Sequence, residues 1–160
     1  MDMTTVLFLA EEEKMTTVKN ILKAKGNRIY AVPPTATVLE SLKLMADKGI
    51  GALLVMDGDF LVGIFSERDY ARRGILQGRQ QDAPVQDMMT PMVYYVRPEQ
   101  SIQDCMALMS ARHIRHLPVI ENNRVVGVIS IGDVVKAIIE DQQHTISGLE
   151  NYIMGGEHAQ

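Results

Sequence analysis

The chain has 160 residues, 46% of them hydrophobic, with a formal net charge of −4 and a sequence pI of about 5.5. That is enough apolar chain for one ordinary domain or two small lobes sharing a core, and the acidic balance argues against a nucleic-acid binder, which presents a basic face and a high pI. The single cysteine excludes an intramolecular disulfide and a zinc ribbon, and no apolar run reaches the roughly 18 residues needed to cross a membrane.

At the start, Met3-Thr4-Thr5-Val6 returns as Met15-Thr16-Thr17-Val18. The apolar stretch Val6–Ala10 is too short for a signal peptide, and acidic Glu11–Glu13 follow it. Residues 1–17 are therefore expected to precede the fold, in a cytoplasmic protein. From Ala31 onward the chain says one thing twice. Ala31–Arg72 aligns without a gap on Tyr95–Lys136, 64 residues later, with 11 identities over 42 positions. Such self-similarity sets the architecture before any single residue does. Two copies are too few for a solenoid, so they are expected to pack about a pseudo-twofold axis with two equivalent clefts at their junction.

Each copy reads as strand, helix, strand, strand, helix. In the first, Ile29–Val32 is a strand that stops at Pro33-Pro34. Thr37-Val38-Leu39-Glu40 then has the form of a capping box, a hydroxyl at the helix start and a carboxylate three residues on. Val38, Leu42 and Met45 give that helix a buried stripe, and Gly49 ends it. Ala52–Met56 and Phe60–Phe65 form a hairpin across Asp57-Gly58-Asp59, and Ser66 starts a helix running to about Ile75. The second copy repeats this with a strand at Tyr94–Val96, a helix at Ser101–Ala111, strands His116–Ile120 and Arg124–Ile129, and a last helix Ile131–Asp141. Residues 18–76 and 85–141 are thus the expected repeats, joined by the polar linker 77–84. The tail 142–160 is expected to extend the last helix until Gly155-Gly156 stops it. Val18–Leu22 and Val85–Met89 also correspond, but 67 residues apart, so Lys23–Arg28 holds three extra residues. Cys105 aligns with Ser41 in mid-helix and reads as a small core residue. Met88, Met89, Met92, Met106 and Met109 read as adaptable core filler.

The sharpest motif is Gly-x-x-Ser-x-x-Asp, at Gly63…Ser66…Asp69 and Gly127…Ser130…Asp133. Ser-x-x-Asp after a strand is itself a helix cap. It also gathers free N–H groups at a strand-to-helix turn, a natural anion site, beside a carboxylate that can accept the two hydroxyls of a ribose. Glycine there lets another group approach the backbone closely. The second motif is Arg112-His113-Ile114-Arg115-His116. Its two histidines straddle a helix-to-strand turn with no third ligand nearby in sequence, which argues against a metal. No Walker loop, Gly-x-Gly-x-x-Gly, Gly-x-Ser-x-Gly or His-Glu-x-x-His occurs, and nothing pairs a nucleophile with a base.

Both copies resemble the CBS domain, named after cystathionine β-synthase. The resemblance is carried by Gly63-Ile64-Phe65-Ser66-Glu67-Arg68-Asp69, Ile114-Arg115-His116-Leu117-Pro118-Val119 and Gly127-Val128-Ile129-Ser130-Ile131-Gly132-Asp133. Together they resemble a tandem CBS pair, or Bateman module, over roughly Val18–Asp141. The implied fold is α/β (α+β), two pseudo-twofold-related β-α-β-β-α units. The implied function is a non-enzymatic sensor of adenine nucleotides, with AMP foremost and ATP, ADP or NAD beside it. By this similarity Asp69 and Asp133 hold ribose, Ser66 and Ser130 contact phosphate, and Arg115 and His116 bind phosphate. Apolar strand-start residues, Pro118 among them, flank adenine. The first copy has Gly51 and Ala52 where the second has Arg115 and His116, so Arg68, and with it Arg72, is the expected cation there, reaching across the pseudo-twofold. Glu67 weakens anion binding nearby, which makes the Asp133 cleft the expected tighter site. The resemblance further implies a homodimer and a regulated partner protein, with no metal, nucleic acid or membrane. Two other readings stand beside it: a docking module with clefts closed by Phe65 or Met92, and a module for S-adenosylmethionine, which carries ribose but no phosphate.

Overall fold

The computed structural model describes residues 15–158, so the extension expected ahead of the fold lies, up to residue 14, outside the described residues. The chain runs α1 (Val18–Lys25), β1 (Ala31–Val32), α2 (Val38–Lys48), β2 (Ala52–Asp57), β3 (Phe60–Ser66), α3 (Glu67–Asp69), α4 (Ile102–Arg112), β4 (His116–Glu121), β5 (Arg124–Ser130) and α5 (Ile131–His158).

The caps form as the sequence implies. Thr37 Oγ1 accepts from Glu40 N–H at 3.1 Å, while Thr37 N–H donates to Glu40 Oε2 at 3.1 Å. Gly49 takes the left-handed conformation that ends α2. Ser101 caps α4 through Asp104 N–H. The hairpin β2–β3 turns at Gly58-Asp59 and β4–β5 at Asn122-Asn123, both asparagines having positive φ, as tight hairpins require. Both hairpins shift register at corresponding places, Val55/Met56 and Val119/Ile120. Cys105 is fully buried, and burial, with Asp104 beside it, pushes its thiol up to about 11, far from redox reactivity.

Four expectations are revised. The first strand is only Ala31–Val32. In the second copy a lone bridge joins Val96 to Val119, because Arg97 N–H turns to Gln100 Oε1 at 2.8 Å and Pro98 follows. The helix from Ser66 does not run regularly to Ile75: after α3 it widens into a π-turn at Tyr70–Gly74 and then tightens into a 3₁₀ turn at Ile75–Gln77. Gly74 leaves the space that the Tyr70 ring and Met88 fill, so a Cβ there would meet them at 2.8 and 3.0 Å. The aligned residue in the second copy is Ile138, and α5 continues unbroken. It also runs through Gly155-Gly156 to His158, so the glycine pair does not stop it.

The two cores are completed crosswise. Val18, Ile21 and Leu22 of α1 are buried with Val96, Ile102, Cys105, Leu117, Ile129 and Val134 of the second copy. In return Val85 and Met88 are buried with Val38, Met45, Leu53, Val55 and Phe65 of the first. Matching backbone bonds anchor both exchanges. Val18 N–H donates to Gln100 O and Lys19 N–H to Pro98 O, both at 2.9 Å. Val85 N–H donates to Ala36 O at 2.7 Å and Gln86 N–H to Pro34 O at 3.2 Å. The motif glycines are the floor of this arrangement: Leu22 lies on Gly127 and Met89 on Gly63. The close approach permitted by each glycine is therefore made by a side chain of the chain itself. No helix among the described residues is long and apolar enough to cross a membrane.

Gly63→Ala tests the exchange. Its Cβ would meet Met89 Sδ at 2.5 Å and the backbone carbonyl of Thr90 at 3.0 Å, so overpacking is expected to cost about 1–3 kcal/mol. In thermal denaturation the Tm should fall by roughly 2–4 °C for each kcal/mol. Met89→Ala in the same chain should recover part of that loss; an unchanged Tm for the single variant would mean the contact is loose.

Candidate functional site

Each motif serine and aspartate sits where a strand hands over to a helix. Ser66 N–H donates to Asp69 Oδ2 at 2.9 Å, and Ser66 Oγ accepts from Asp69 N–H at 3.1 Å. Ser130 N–H donates to Asp133 Oδ2 at 2.8 Å, and Ser130 Oγ accepts from Asp133 N–H at 3.2 Å. Both motifs are thus true reciprocal caps. The strand before each is held in the same way, since Glu67 N–H donates to Gly51 O and Ile131 N–H to Arg115 O. Beyond the cap the two carboxylates differ. Asp69 Oδ1 accepts from Thr90 Oγ1 at 3.1 Å. Asp133 Oδ2 accepts from Lys25 Nζ at 2.7 Å, and the same ammonium donates to Val128 O at 2.9 Å. Burial works against ionisation of Asp133, but Lys25 and the Ser130 N–H outweigh it and hold the carboxyl below its ordinary value.

Two clefts open between the copies. One, of about 430 Å³, is lined by Ser66, Asp69 and Thr90 together with Arg68, Arg72, Arg73, Met92, Tyr94, His113, Arg115 and His116. Its size lies in the range of about 300–1,000 Å³ found for small-molecule sites. Arg68 Nη1 reaches across to His113 O at 3.4 Å, and Arg73 Nη1 is held by Met89 O at 2.7 Å. Glu67 stands on the same wall. The second cleft, of about 370 Å³, is more apolar. Tyr30, Ile50, Leu53, Leu54 and Ile64 line it with Lys25, Arg28, His116 and Ser130. Asp133 is not on its wall: it lies behind Lys25 in a smaller groove of about 220 Å³ beside Thr16, Lys136 and Asp141.

This geometry redistributes the charges read from the sequence. Arg115 lines the Asp69 cleft rather than standing with Asp133, because its carbonyl holds the start of α5 while the residue faces the other copy. Arg68 and Arg72 line that cleft too, so the strongly cationic junction is the one with Asp69. His116 lies on the walls of both clefts. Burial, and then the charge of Lys25, hold its imidazole below the ordinary value of 6.5, so at neutral pH it is an uncharged hydrogen-bonding group. Pro118 is buried inside β4 opposite Val128 and lines neither cleft. Phe65 is fully buried in the first core and closes nothing, whereas Met92, at 79% exposure, borders the Asp69 cleft. Thr90 and Lys25 escaped the sequence reading. Lys25 lies in the stretch that holds three extra residues in the first copy, the one trace it left. Among the described residues no group of three or more His, Cys, Asp or Glu is gathered as metal ligands would be.

The model of the CBS domain family matches residues 18–75 and again 85–140. The mitochondrial CBS domain-containing protein CBSX3 of Arabidopsis thaliana is 36% identical over 151 residues, covering 88% of this chain and 73% of that protein. Among solved structures, a CBS-domain protein of Burkholderia ambifaria MC40-6 is 53% identical with a TM-score of 0.77, over 79% of this chain and 96% of the other. The CBS domain pair of protein MJ0100, solved in complex with 5′-methylthioadenosine and S-adenosyl-L-methionine, is 25% identical with a TM-score of 0.68, over 78% of this chain and 96% of the other. The chain, with two repeats completed crosswise around two unequal clefts, belongs to the CBS-domain family and is a tandem CBS pair, a regulatory module of α+β fold.

Proposed function

We propose that this CBS pair is a non-enzymatic sensor that binds an adenine nucleotide, AMP foremost, in the Asp69 cleft. The observation that carries the reading is the convergence there of Ser66 and Asp69 from one copy with Arg115 and His116 from the other. A carboxylate beside a capped turn suits the ribose hydroxyls. Guanidinium groups are the natural fork for phosphate oxygens, and Arg68 and Arg72 from one copy and Arg115 from the other line this cleft. The ligand would displace Thr90 from Asp69 Oδ1 and bridge both copies. Adenosine compounds in the MJ0100 structure support the ligand class. A wall of arginines favours a phosphate over the sulfonium of S-adenosylmethionine, because like charges repel. The Asp133 side is the weaker partner in this reading, since Lys25 already holds its carboxylate at 2.7 Å. Ligand can then change how the two copies sit, and what a regulated partner meets, only as far as it binds one arrangement better than another.

Thermal shift with AMP, ADP, ATP, NAD and S-adenosylmethionine tests this directly. AMP at about a hundred times its Kd stabilises by roughly 2.7 kcal/mol, a shift of several degrees for a chain of this size. Asp69→Ala should abolish the shift and Asp133→Ala should leave it. Arg115→Ala removes a charged hydrogen bond of about 1.5–3 kcal/mol, which weakens AMP binding roughly 10- to 100-fold. A response confined to S-adenosylmethionine, or indifferent to Arg115, would replace the nucleotide by that ligand. A flat panel from nucleotide-free protein would leave a docking module.

His116 adds a pH dependence. Its imidazole begins below 6.5 in the ligand-free protein, and a phosphate nearby favours the protonated form. The bound protein therefore takes up a proton, and the His116 contribution to AMP affinity rises as pH falls from 7 through the bound-state pKa, then levels off below the ligand-free one. Calorimetric titration across that window should show different slopes for wild type and His116→Gln, the variant keeping only the slope that the phosphate's own protonation at about pH 6 imposes; equal slopes would remove His116 from the site.

A further inference from the structure

The last helix carries a second pattern that the nucleotide reading does not use. In α5, Val134, Ala137 and Ile138 face the core of the second copy. Turned about 100° from them per residue, another apolar row continues down the helix: Val135, Ile139, Ile146, Leu149 and Ile153, between 40% and 61% exposed. Their spacings of 4, 7, 3 and 4 are those of a heptad seam. Between Val135 and Ile153, Ile139, Ile146 and Ile153 fall at a and Val135, Gln142 and Leu149 at d, with Gly156 at the next d position. From Gln142 through Met154 every residue is exposed, and the 17 residues to His158, at about 1.5 Å each, make roughly 25 Å of rod.

We propose that this rod pairs with the same helix of a second copy of the chain as a parallel two-stranded coiled coil. Three features select that occupant and orientation. Isoleucine at three successive a positions, with Leu149 at d between the last two, favours two parallel strands. Gln142 is the one polar residue of the seam. In a parallel pair it meets its own twin and the two amides satisfy each other, whereas an antiparallel pair or an apolar foreign helix would set it against hydrocarbon and leave it unpaired. The flanking g-to-e′ pair of the parallel register in the exposed part of the helix is Thr145 with Glu150, which sets no like charges against each other. The inference stands independently of the nucleotide reading, and it gives the expected homodimer a specific surface.

Cysteine cross-linking under mild oxidation tests it in the full chain, where native Cys105 is fully buried. Ile153→Cys, at a, should link two copies at least about tenfold faster than Asn151→Cys, at the outward f position, because pairing raises its effective concentration. Adding Ile146→Asp should abolish that advantage, and sedimentation should show the Ile146→Asp chain losing its tail-to-tail pairing. Equal rates at 153 and 151 would overturn the proposal. So would a link between Val135→Cys of one copy and Ile153→Cys of another found by mass spectrometry, which marks an antiparallel pair. Nucleotide binding should be unchanged in Ile146→Asp, so failure here is distinguishable from failure of the sensor reading.

Discussion

Leu22 lying on the bare backbone of Gly127, and Met89 on Gly63, is the constraint on which the rest of the molecule depends. Neither copy holds all of its own core. A side chain from ahead of one repeat must reach the strand of the other, and only glycine lets it come that close. The backbone bonds from Val18 and Lys19 to Gln100 and Pro98, mirrored by Val85 and Gln86 to Ala36 and Pro34, fix the register of the exchange. Removing α1 would therefore open the second core, although α1 precedes the first. The pseudo-twofold junction and its clefts are a consequence of this crossing.

The exchange also decides the electrostatics. Because α1 crosses to the second copy, Lys25 at its end arrives at Asp133 and the two charges neutralise each other at 2.7 Å. A half-exposed ion pair contributes little to stability, so its consequence here is for binding: a ligand would have to displace a tethered ammonium. The corresponding crossing segment ends instead with Thr90 at Asp69, a neutral hydroxyl that yields more easily. Arg115 and, from the opposite copy, Arg68 and Arg72 then line one cleft together with Asp69. Two motifs of identical spelling thus give one cationic cleft and one apolar cleft.

Much of this was written in the sequence at short range. The Thr37–Glu40 box, the Gly49 cap and the hairpin at Asp57-Gly58-Asp59 are local chemistry, and all three form as read. The Ser-x-x-Asp motifs are also local and cap as read. The family and its paired repeats were legible because eleven identities survive at a constant offset. What was not legible is which copy a segment completes. Val18, Ile21 and Leu22 have the same helical spacing whether they fold back on their own repeat or cross to the other, so periodicity is silent on the partner. The 67-residue offset of that segment, against 64 for the repeats, recorded extra chain without saying where it went. The assignment of Arg115 to Asp133 failed for the same reason. Its carbonyl does hold the helix of Asp133, as adjacency in sequence suggests, yet the residue borders the cleft of the other copy. The π-turn at Tyr70–Gly74 was equally hidden, since it depends on Met88 arriving from the crossing segment.

Thr90 shows how binding and architecture are joined. Its backbone pairs with Ile64 in both directions, N–H to O at 2.8 Å and O from N–H at 3.0 Å, which extends the edge of β3. Its neighbour Met89 sits on Gly63, and its hydroxyl holds Asp69. One short stretch therefore finishes the first core, lengthens its sheet and occupies the carboxylate that the proposed ribose would take. A ligand on Asp69 would free that hydroxyl while the backbone pairing keeps the segment in place. Any change must then pass into the next loop of the chain, which carries Met92 and Tyr94 on the cleft wall. Tyr94 is stacked under the Arg112 guanidinium at 5.0 Å, at the end of the helix that leads into Arg115. Thr90, Met92 and Tyr94 thus line the cleft beside Asp69, and Tyr94 touches the second copy through Arg112, apart from Lys25 and Asp133.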